Sequence, residues 1–535
     1  MFSYNVLDGS SNSLLKCATA LALTVVAFAL RFQRKRTNIA FVPIPDGSSW
    51  IWGHEKTIFD KSTGTAYTEW FSTLNAYVIR VKGALFKPDI LIVADPAAIS
   101  HIMRKQIYQY EHNGIVRPRI ARLLGKSLGW VEGESEHKRM RQLVASSLSQ
   151  EAVKKGYQDL LDAAENSRAA IEEHLHKSGS YTDFKTIDIT KWTLQATLDA
   201  IGRFGFGHDF DSGRSEEATN ILKVWRDMAK VVMSPHGFLP VMLMRRFGFI
   251  NNLPLKALQA QANVRLMIHE GVAREMVARN TKLTSGAASG NDLLSRLMVA
   301  QRDGAISQDE LMDHISMFIM TGSETTGQAL GAAIWELGRN LEAQKRLREE
   351  VQSYSNEPTF DEMMTKMTYI DAVCRETLRM HPPAPYMERD TTKDDVLPLR
   401  YPIMDKDGKV HTHIFIKAGQ TVIIPIHSVQ RMDPVWGDGA AFRPERWLTA
   451  GGPAPVEQLT GGWSNMLAFS DGPRSCVGVR LALVEFKVIL AMLVRNFQFG
   501  STGDKMSNKF ASSMQAVVVG REIEGPQLPV TIAPL

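Results

Sequence analysis

The most reactive candidate in the chain is Cys476, within the loop sequence FSDGPRSCVG at residues 469–478. An apolar helical pattern over 479–497 follows directly, and the N-terminal end of a helix lowers the pKa of a nearby thiol. Arg474 offers a planar fork suited to a carboxylate, and the glycines of the loop let a backbone approach a flat partner closely. These residue types fit a thiolate ligand to haem, a planar metal macrocycle with acid side arms. The alternative is a buried cysteine near an unrelated arginine.

The chain of 535 residues contains few cysteines, namely Cys17, Cys374 and Cys476. An odd, sparse set cannot form a disulfide framework, which predicts a reducing compartment for the folded part. A metal site with four cysteine ligands is excluded by the same count, and a site with a single cysteine ligand stays open. Cys476 therefore acts as a lone thiol, as a lone thiolate ligand, or as a buried apolar residue.

A second group of reactive side chains occurs in the sequence TGSETT at residues 321–326. It lies in a long helical pattern over 307–340, which starts with a capping box and is apolar on nearly every face, as expected of a buried central helix. A hydroxyl beside a carboxylate, as in Thr325 and Glu324, can relay protons. The alternative is that the hydroxyls only bond to carbonyls one turn earlier.

FSDGPRSCVG resembles, at every specified position, the haem-binding signature F-x-x-G-x-R-x-C-x-G of the cytochrome P-450 superfamily. TGSETT is similar to the oxygen-activating motif of that superfamily, with Thr321 in place of the usual alanine. The resemblance implies that Cys476 is the axial ligand of the iron of haem b, that Arg474 holds a propionate, and that Phe469 packs beside the sulfur. Thr325 and Glu324 would be catalytic. The remaining residues expected at the cofactor are Gly472, Gly478, His137, Arg141 and Arg389.

His137 stands where the family often has a tryptophan, so either it donates a hydrogen bond to a propionate or it is an exposed helix histidine. The sequence ETLR adds Glu376 and Arg379, which are three residues apart on one helix face and can pair. The same spacing occurs three more times in the chain, so spacing alone says little. The sequence HPPAP comes directly after the predicted helix that contains ETLR, and FRPERW lies further along the chain. This order is the same as in the family. The resemblance then implies a buried structural triad of Glu376, Arg379 and Arg446.

The remaining patterns predict mainly helices with a minor β region, and the resemblance implies the cytochrome P-450 fold. Segments 76–83 and 89–95 are β-branched and predict a small hairpin. A helix that contains ETLR is predicted to stop at Pro382 and Pro383. The tail after 514 predicts two short strands around a turn.

The N-terminal region has an apolar run over 14–30, broken only by Lys16 and followed by a basic cluster. This order predicts a single-pass anchor whose C-terminal side faces the cytosol, with the catalytic domain at the endoplasmic reticulum membrane. A cleaved signal peptide is the alternative, but it lacks a basic N-terminal region. The predicted division is a lumenal terminus over 1–12, the anchor over 13–31, a connector over 32–54 and the enzyme domain over 55–535.

The net charge of +5 is modest for this length and argues against a nucleic-acid-binding protein. The resemblance implies a monooxygenase that uses O2 and a lipophilic substrate, with an expected role in secondary metabolism; parts of the long helix look similar to fungal members. NADPH would supply electrons through a separate flavoprotein reductase, because the chain has no dinucleotide fingerprint. The reductase is expected near Lys138, Arg139 and Lys487. The alternatives are an isomerase or dehydratase acting on a peroxide, and a non-catalytic haem-binding membrane protein.

The sequence leaves the substrate open, but several segments are expected to line its site. The apolar and basic stretch 234–254 predicts a surface loop that dips into the bilayer and suggests that a lipophilic substrate enters from the membrane. The segments expected to line the substrate site are 108–130, 220–245, 318–325, 383–388 and 520–526.

Overall fold

The computed structural model describes residues 39–535 except 178–182, 285–291, 355, 450–453, 456, 457 and 459, and it also describes residues 19, 20 and 24. Nearly all of the predicted anchor over 13–31, the terminus before it and the alternative cleavage site lie outside the described residues. In the part of the chain that is described, no helix is both long enough and apolar enough to span a bilayer.

Helices make up most of the described chain, as predicted. In chain order they are α1 (Glu55–Asp60), α2 (Thr65–Leu74), α3 (Pro96–Ser100), α4 (Val116–Leu124), α5 (Glu134–Ala145), α6 (Gln150–Lys155), α7 (Tyr157–Lys177), α8 (Ile189–Phe206), α9 (Glu216–Met233), α10 (Phe238–Arg246), α11 (Lys256–Glu270), α12 (Val272–Thr284), α13 (Leu293–Arg302), α14 (Gln308–Arg339), α15 (Leu341–Gln352), α16 (Phe360–Thr365), α17 (Thr368–Met380), α18 (Ile426–Val429), α19 (Asp433–Trp436) and α20 (Val479–Asn496).

The minor β region consists of small sheets. The strands are β1 (Val78–Val81), β2 (Ile90–Val93), β3 (Tyr110–Glu111), β4 (Lys185–Asp188), β5 (Met387–Thr391), β6 (Asp395–Met404), β7 (Val410–Ile416), β8 (Thr421–Ile424), β9 (Phe497–Ser501), β10 (Met506–Phe510), β11 (Met514–Val518) and β12 (Pro529–Pro534). A five-stranded sheet has the order β1-β2-β8-β5-β3, and a three-stranded sheet has the order β4-β12-β9. The strands β6 and β7 form one two-stranded sheet and β10 and β11 form another.

The central helix α14 has the predicted form. The Ser307 hydroxyl accepts from the Glu310 backbone N–H, and the Glu310 carboxylate accepts from the Ser307 backbone N–H, which completes the capping box. Side chains are buried on nearly all faces of its middle. The helix crosses α8 closely, because a Cβ on Gly327 would lie only 2.9 Å from Thr197 Oγ1, which also donates to the Ser323 carbonyl at 2.8 Å. This crossing fixes α14 in the helical core.

The hairpin prediction is confirmed, since β1 and β2 pair as antiparallel neighbours from Val78–Val93 to Val81–Ile90. Helix α17 ends at Met380, two residues before Pro382, as predicted. The two short strands predicted in the tail are present as β11 and β12, but they do not pair with each other. Strand β11 pairs with β10, whereas β12 pairs with β4 and β9, so the two tail strands belong to different sheets.

The stretch 234–254 is not a loop, because it contains α10 and short 3-10 turns on either side. Its two arginines are both engaged within the protein. Arg245 forms a buried ion pair with Glu388, and Arg246 donates to the Leu85 carbonyl. Its exposed apolar side chains are Leu239, Phe247, Phe249 and Leu253.

Candidate active site

The cysteine loop is held by its own backbone. The Cys476 N–H donates to the Phe469 carbonyl at 2.9 Å, and the Phe469 ring packs edge-on against Trp463. Gly472 has φ +66°, and a Cβ there would lie 2.2 Å from the carbonyl oxygen of Met103. Glycine is therefore required at position 472 by the left-handed backbone conformation and by the nearby backbone of Met103, rather than by a flat partner.

The surroundings of Gly478 and the pKa of the Cys476 thiol differ from what the sequence predicted. A Cβ on Gly478 would lie 3.9 Å from Cys476 Sγ, an ordinary contact distance. The Cys476 side chain is exposed, whereas Cys374 is buried, so the choice between a buried thiol and an accessible one favours accessibility. Even so, the protein packed around the Cys476 thiol raises its pKa, and the Gly478 N–H and the Arg141 charge only oppose this. The lowered thiol pKa expected from the helix N terminus is not present in the protein alone.

Three predicted arginines lie around the cysteine loop. Arg474 donates to the Val131 carbonyl at 3.0 Å and to Glu132 at 2.9 Å. Arg141 donates to the Ser475 carbonyl at 2.6 Å, directly beside Cys476. Arg389 on β5 is buried, and its Nε and Nη1 atoms have no hydrogen-bond partner among the described residues. Burial lowers the pKa of Arg389 to about 10, which still leaves it cationic near neutral pH.

His137 is buried in this cluster, so it is not the exposed helix histidine of the alternative interpretation. Its Nδ1 lies 3.1 Å from the Tyr108 hydroxyl. Burial, with the charges of Arg474 and Arg141, lowers the pKa of His137 to about 4, so the ring is neutral at physiological pH. It can therefore exchange a hydrogen bond here but brings no positive charge.

The carboxylate of this cluster, Glu132, was not predicted from the sequence. It bonds to the His112 ring and to the His112 N–H, as well as to Arg474. Burial alone would raise the pKa of Glu132, but the bonds from His112 and the charge of Arg474 hold it at about 2. No motif pointed to Glu132, because its role follows only from the fold.

The residues present fit a haem. Three guanidinium groups, those of Arg141, Arg389 and Arg474, gather near one ionised carboxylate, and buried N–H groups of Arg389 and Arg474 have no partner among the described residues. A group with two carboxylate arms would satisfy these donors, and the exposed Cys476 thiol beside them provides a single soft ligand. Haem bound here would supply the iron that binds and activates dioxygen.

The predicted oxygen-activating motif lies on α14, and two of its threonines differ from its acid in how deeply they are buried. Thr321 and Thr325 are partly exposed and lie one turn apart, whereas Glu324 is buried. The Thr321 hydroxyl donates to the Met317 carbonyl and the Thr325 hydroxyl to the Thr321 carbonyl, both at 2.8 Å. The back-bonded arrangement that was the alternative is therefore the one observed, and each oxygen keeps lone pairs as acceptors.

The turn between β10 and β11 holds the Glu324 carboxyl group, a contact that was not predicted from the sequence. Its Oε1 atom accepts from the hydroxyls of Ser512 and Ser513, at 2.5 and 2.6 Å. Gln515 Nε2 lies 3.3 Å away, and the Trp225 indole N–H donates to Ser512 at 3.0 Å. Burial raises the pKa of Glu324 to about 7, although the two serine bonds act against it. The pair of serines between β10 and β11 was the only signal in the sequence.

The predicted triad is assembled as expected. Glu376 Oε2 accepts from Arg379 Nε at 2.9 Å, and Glu376 Oε1 accepts from Arg446 Nε at 3.0 Å. The Trp447 indole N–H also donates to Glu376, at 2.9 Å. All three members of the triad are buried, in contrast to the pair Glu165–Arg168 of the same spacing, which lies at the surface.

Lys487 was wrongly expected at a surface for the reductase. Its side chain is buried, and its Nζ lies 2.7 Å from Asp371 Oδ1 on α17. The ion pair therefore joins α20 to α17 inside the protein. Lys138 is exposed, as the expectation requires, and Arg139 is engaged by Glu136 and by the Ala305 carbonyl.

A cavity lies between the N-terminal helices, the five-stranded sheet, α10 and β10. Of the segments expected to line the substrate site, 108–130, 220–245 and 383–388 contribute to it, whereas no described residue of 318–325 or 520–526 does. Residues 519–524 are exposed instead. The tail contributes through Lys509 and Phe510, which immediately precede the turn that holds Glu324. Cys476 does not line this cavity.

A haem with a single thiolate ligand would fit the accessible thiol and the arginine cluster described above. The chain belongs to the cytochrome P450 family, whose model matches residues 83–524. It is 31% identical over 449 residues to cytochrome P450 monooxygenase claQ of Ampulloclitocybe clavipes, covering 82% of each chain. It is 29% identical over 541 residues to cytochrome P450 monooxygenase 205 of Postia placenta, covering 96% of each chain.

Proposed function

We propose that this protein is a monooxygenase that inserts one atom of O2 into a lipophilic substrate, with electrons delivered from NADPH by a separate flavoprotein reductase. The observation that carries the proposal is the exposed Cys476 thiol in a cluster where buried N–H groups of Arg389 and Arg474 have no described partner. The fungal relatives, which are named as monooxygenases, support a role in secondary metabolism.

The proton chemistry is assigned to Glu324 and the two threonines of α14. A carboxyl group with a pKa of about 7 both holds and releases a proton near neutral pH, which suits a proton relay. Thr321 and Thr325, one turn apart on the partly exposed face of the helix, offer hydroxyl oxygens. Thr321 therefore adds a second polar group to this face, where the family usually has alanine.

Exposed apolar residues support contact with a membrane. On the stretch 234–255 the exposed side chains include Leu239, at 49% exposure, and Phe249, at 65%. Trp50 in the connector is 82% exposed, and its neighbour Trp52 packs edge-on against Phe238 of α10. The connector and α10 are thus on one side of the molecule, as expected if both rest on the bilayer that holds the N-terminal anchor. We place the enzyme at the endoplasmic reticulum membrane with its catalytic domain in the cytosol.

The reductase is proposed to dock on the face near the cysteine loop. Lys138 of α5 is exposed, and its partner Glu134 is exposed as well, so an acidic residue of a reductase can replace Glu134. Arg480 is exposed at the start of α20, four residues after Cys476. Such contacts act mainly on the association rate and are screened by salt. Electron transfer from the reductase should therefore slow as salt is raised, and indifference to salt would contradict this docking face.

The decisive experiment is the absorption spectrum of the reduced, carbon-monoxide-bound protein. We expect a strongly red-shifted Soret band in the wild type and in Cys374→Ala, and its loss in Cys476→Ala. Cys374 is the matched control because it is also a free cysteine but is buried. An unchanged band in Cys476→Ala would overturn the assignment of the iron ligand. Turnover of a peroxide without NADPH or reductase would favour the isomerase or dehydratase alternative.

A further inference from the structure

The cavity beside β10 is lined mainly by apolar side chains, with charged groups at a few positions. Its apolar lining includes Phe59, Tyr67, Met233, Met242, Tyr386 and Phe510. The cationic residues of the lining are Lys61, Arg119, Arg245 and Lys509. An apolar cavity with few polar groups is typical of a small-molecule site, in which the polar groups fix orientation.

Most of these cations are already satisfied. Lys61 pairs with Glu69, and Arg245 pairs with Glu388. The ammonium of Lys509 has three N–H donors, and three backbone carbonyls, those of residues 59–61, accept from it at 2.8 to 3.2 Å. The charges of Lys61 and Arg245 are therefore paired with carboxylates, and the N–H donors of Lys509 are all occupied.

Arg119 differs from the other three cations. Among the described residues its guanidinium makes one hydrogen bond, to the Ala511 carbonyl, and it lies 5.5 Å from the centre of the Phe510 ring. A guanidinium carries five N–H donors in a fixed fork, so most of them are left for another acceptor. Both partners of Arg119 are neutral, and burial lowers its pKa.

The acid whose charge acts on Arg119 forms no described ion pair with it. The charge of Glu324 acts on Arg119, but the Glu324 oxygen Oε1 is taken by Ser512 and Ser513, the residues that follow Ala511. At neutral pH Glu324 is also partly protonated, because its pKa is about 7. Arg119 therefore lies where the cavity meets the turn over Ala511–Ser513, with a positive charge that no ion pair within the described part of the chain offsets.

We propose that Arg119 binds a carboxylate group on an otherwise apolar substrate, so that the substrates of this enzyme are lipophilic acids. This inference rests on the proposed monooxygenase function and narrows its substrate class. The planar carboxylate matches the free fork of the guanidinium, and the apolar lining accepts the rest of the molecule.

The test compares acids with their matched alcohols by optical and calorimetric titration of the haem-loaded enzyme. The probe pairs are dodecanoic acid with dodecanol, hexadecanoic acid with hexadecanol, farnesoic acid with farnesol, and abietic acid with its alcohol. In at least one pair the acid should bind about 10- to 100-fold more tightly than the alcohol, as expected for a charge-assisted hydrogen-bonded pair. The absence of any acid-preferring pair overturns the inference.

Variants assign the preference to the side chain. Arg119→Gln should abolish the preference for the acid and leave alcohol binding within about twofold, whereas Arg119→Lys, which keeps the charge, should retain much of the preference. Arg122→Gln is the matched control on the same helix, because Arg122 does not line the cavity and donates to Gln261 and to the Asn251 carbonyl. A preference that survives in Arg119→Gln contradicts the assignment. The reduced carbon-monoxide spectrum of each variant separates the outcomes, since a normal band without acid preference leaves the monooxygenase function intact.

Discussion

Ser513 Oγ lies 2.6 Å from Glu324 Oε1 and joins the buried acid of the central helix to the turn between β10 and β11. Ser512 donates to the same oxygen, so two neutral hydroxyl groups stabilise the charged form of a carboxyl group that burial disfavours. The pKa of about 7 is the balance of these opposing effects. The serines thus act as positioning residues that set both the direction and the acidity of Glu324.

Replacing Ser513 by alanine should raise the pKa of Glu324 further above 7, because it removes a donor to the ionised form. The measurement is the pH profile of product formed per NADPH consumed, whose titration near neutral pH should move to higher pH by roughly half to one unit. Ser507→Ala on β10 is the control, since Ser507 faces Val517 on β11 in the hairpin register and makes no described bond to Glu324. Identical profiles for Ser513→Ala and wild type would refute the positioning role.

Glu324→Gln should change how stability depends on pH. A glutamate with its usual pKa of 4.5 loses its proton in the unfolded chain, whereas folded Glu324 keeps it until about pH 7. The folded state therefore binds more protons between these values, and the free energy of unfolding falls as pH rises through that window. Glutamine removes this loss, so the variant should gain up to about 3 kcal/mol relative to wild type on going from pH 4.5 to pH 8.

The measurement for this variant is denaturant unfolding of the haem-loaded protein at several pH values. Glu342→Gln is the comparison, because Glu342 is exposed on α15. Parallel pH dependences for Glu324→Gln and wild type would show that Glu324 does not titrate near neutral pH in the folded protein.

Thr325→Ala should reduce the fraction of NADPH that leads to product while leaving stability nearly unchanged. Among the described residues its hydroxyl bonds to the Thr321 carbonyl within the same helix, so little tertiary structure depends on it. Thr365→Ala removes a similar local bond, to the Asp361 carbonyl, at an exposed position and serves as the control. Unchanged coupling in Thr325→Ala would remove this hydroxyl from the proton relay.

Glu376→Gln should destabilise the fold strongly. Arg379 and Arg446 would lose their shared buried carboxylate, and breaking a buried ion pair costs about 3–5 kcal/mol. Glu165→Gln breaks a pair of the same sequence spacing at the surface and should cost less than about 1 kcal/mol. Unfolding midpoints of the two variants in urea provide the comparison, and similar midpoints would argue that the triad contributes little.

The parts of the structure that depend on neighbouring residues could be predicted from the sequence. The capping box of Ser307 and Glu310, the hairpin over 76–95 and the end of α17 before Pro382 are decided within a few residues, and each was found as expected. The cysteine loop and the triad could be placed because their residue types occur in a specific order along the chain.

The parts that depend on distant residues could not be predicted. Glu324 and its partner Ser513 are separated by 189 positions, and no local pattern connects them. A lysine such as Lys487 is predicted at the surface from its residue type. It is buried here because the packing of α20 on α17 places Asp371 beside it. The direction of the Cys476 pKa shift is set by the amount of protein around the thiol, which outweighs the helix terminus that the sequence reveals.

The turn over Ala511–Ser513 touches two side chains with different tasks. The carbonyl of its first residue accepts from Arg119, and the hydroxyls of the next two donate to Glu324. Three adjacent residues thus connect the choice of ligand with the supply of protons. Laboratory evolution that alters this turn to change substrate preference will therefore also alter the yield of product per reducing equivalent, and the two traits will be inherited together.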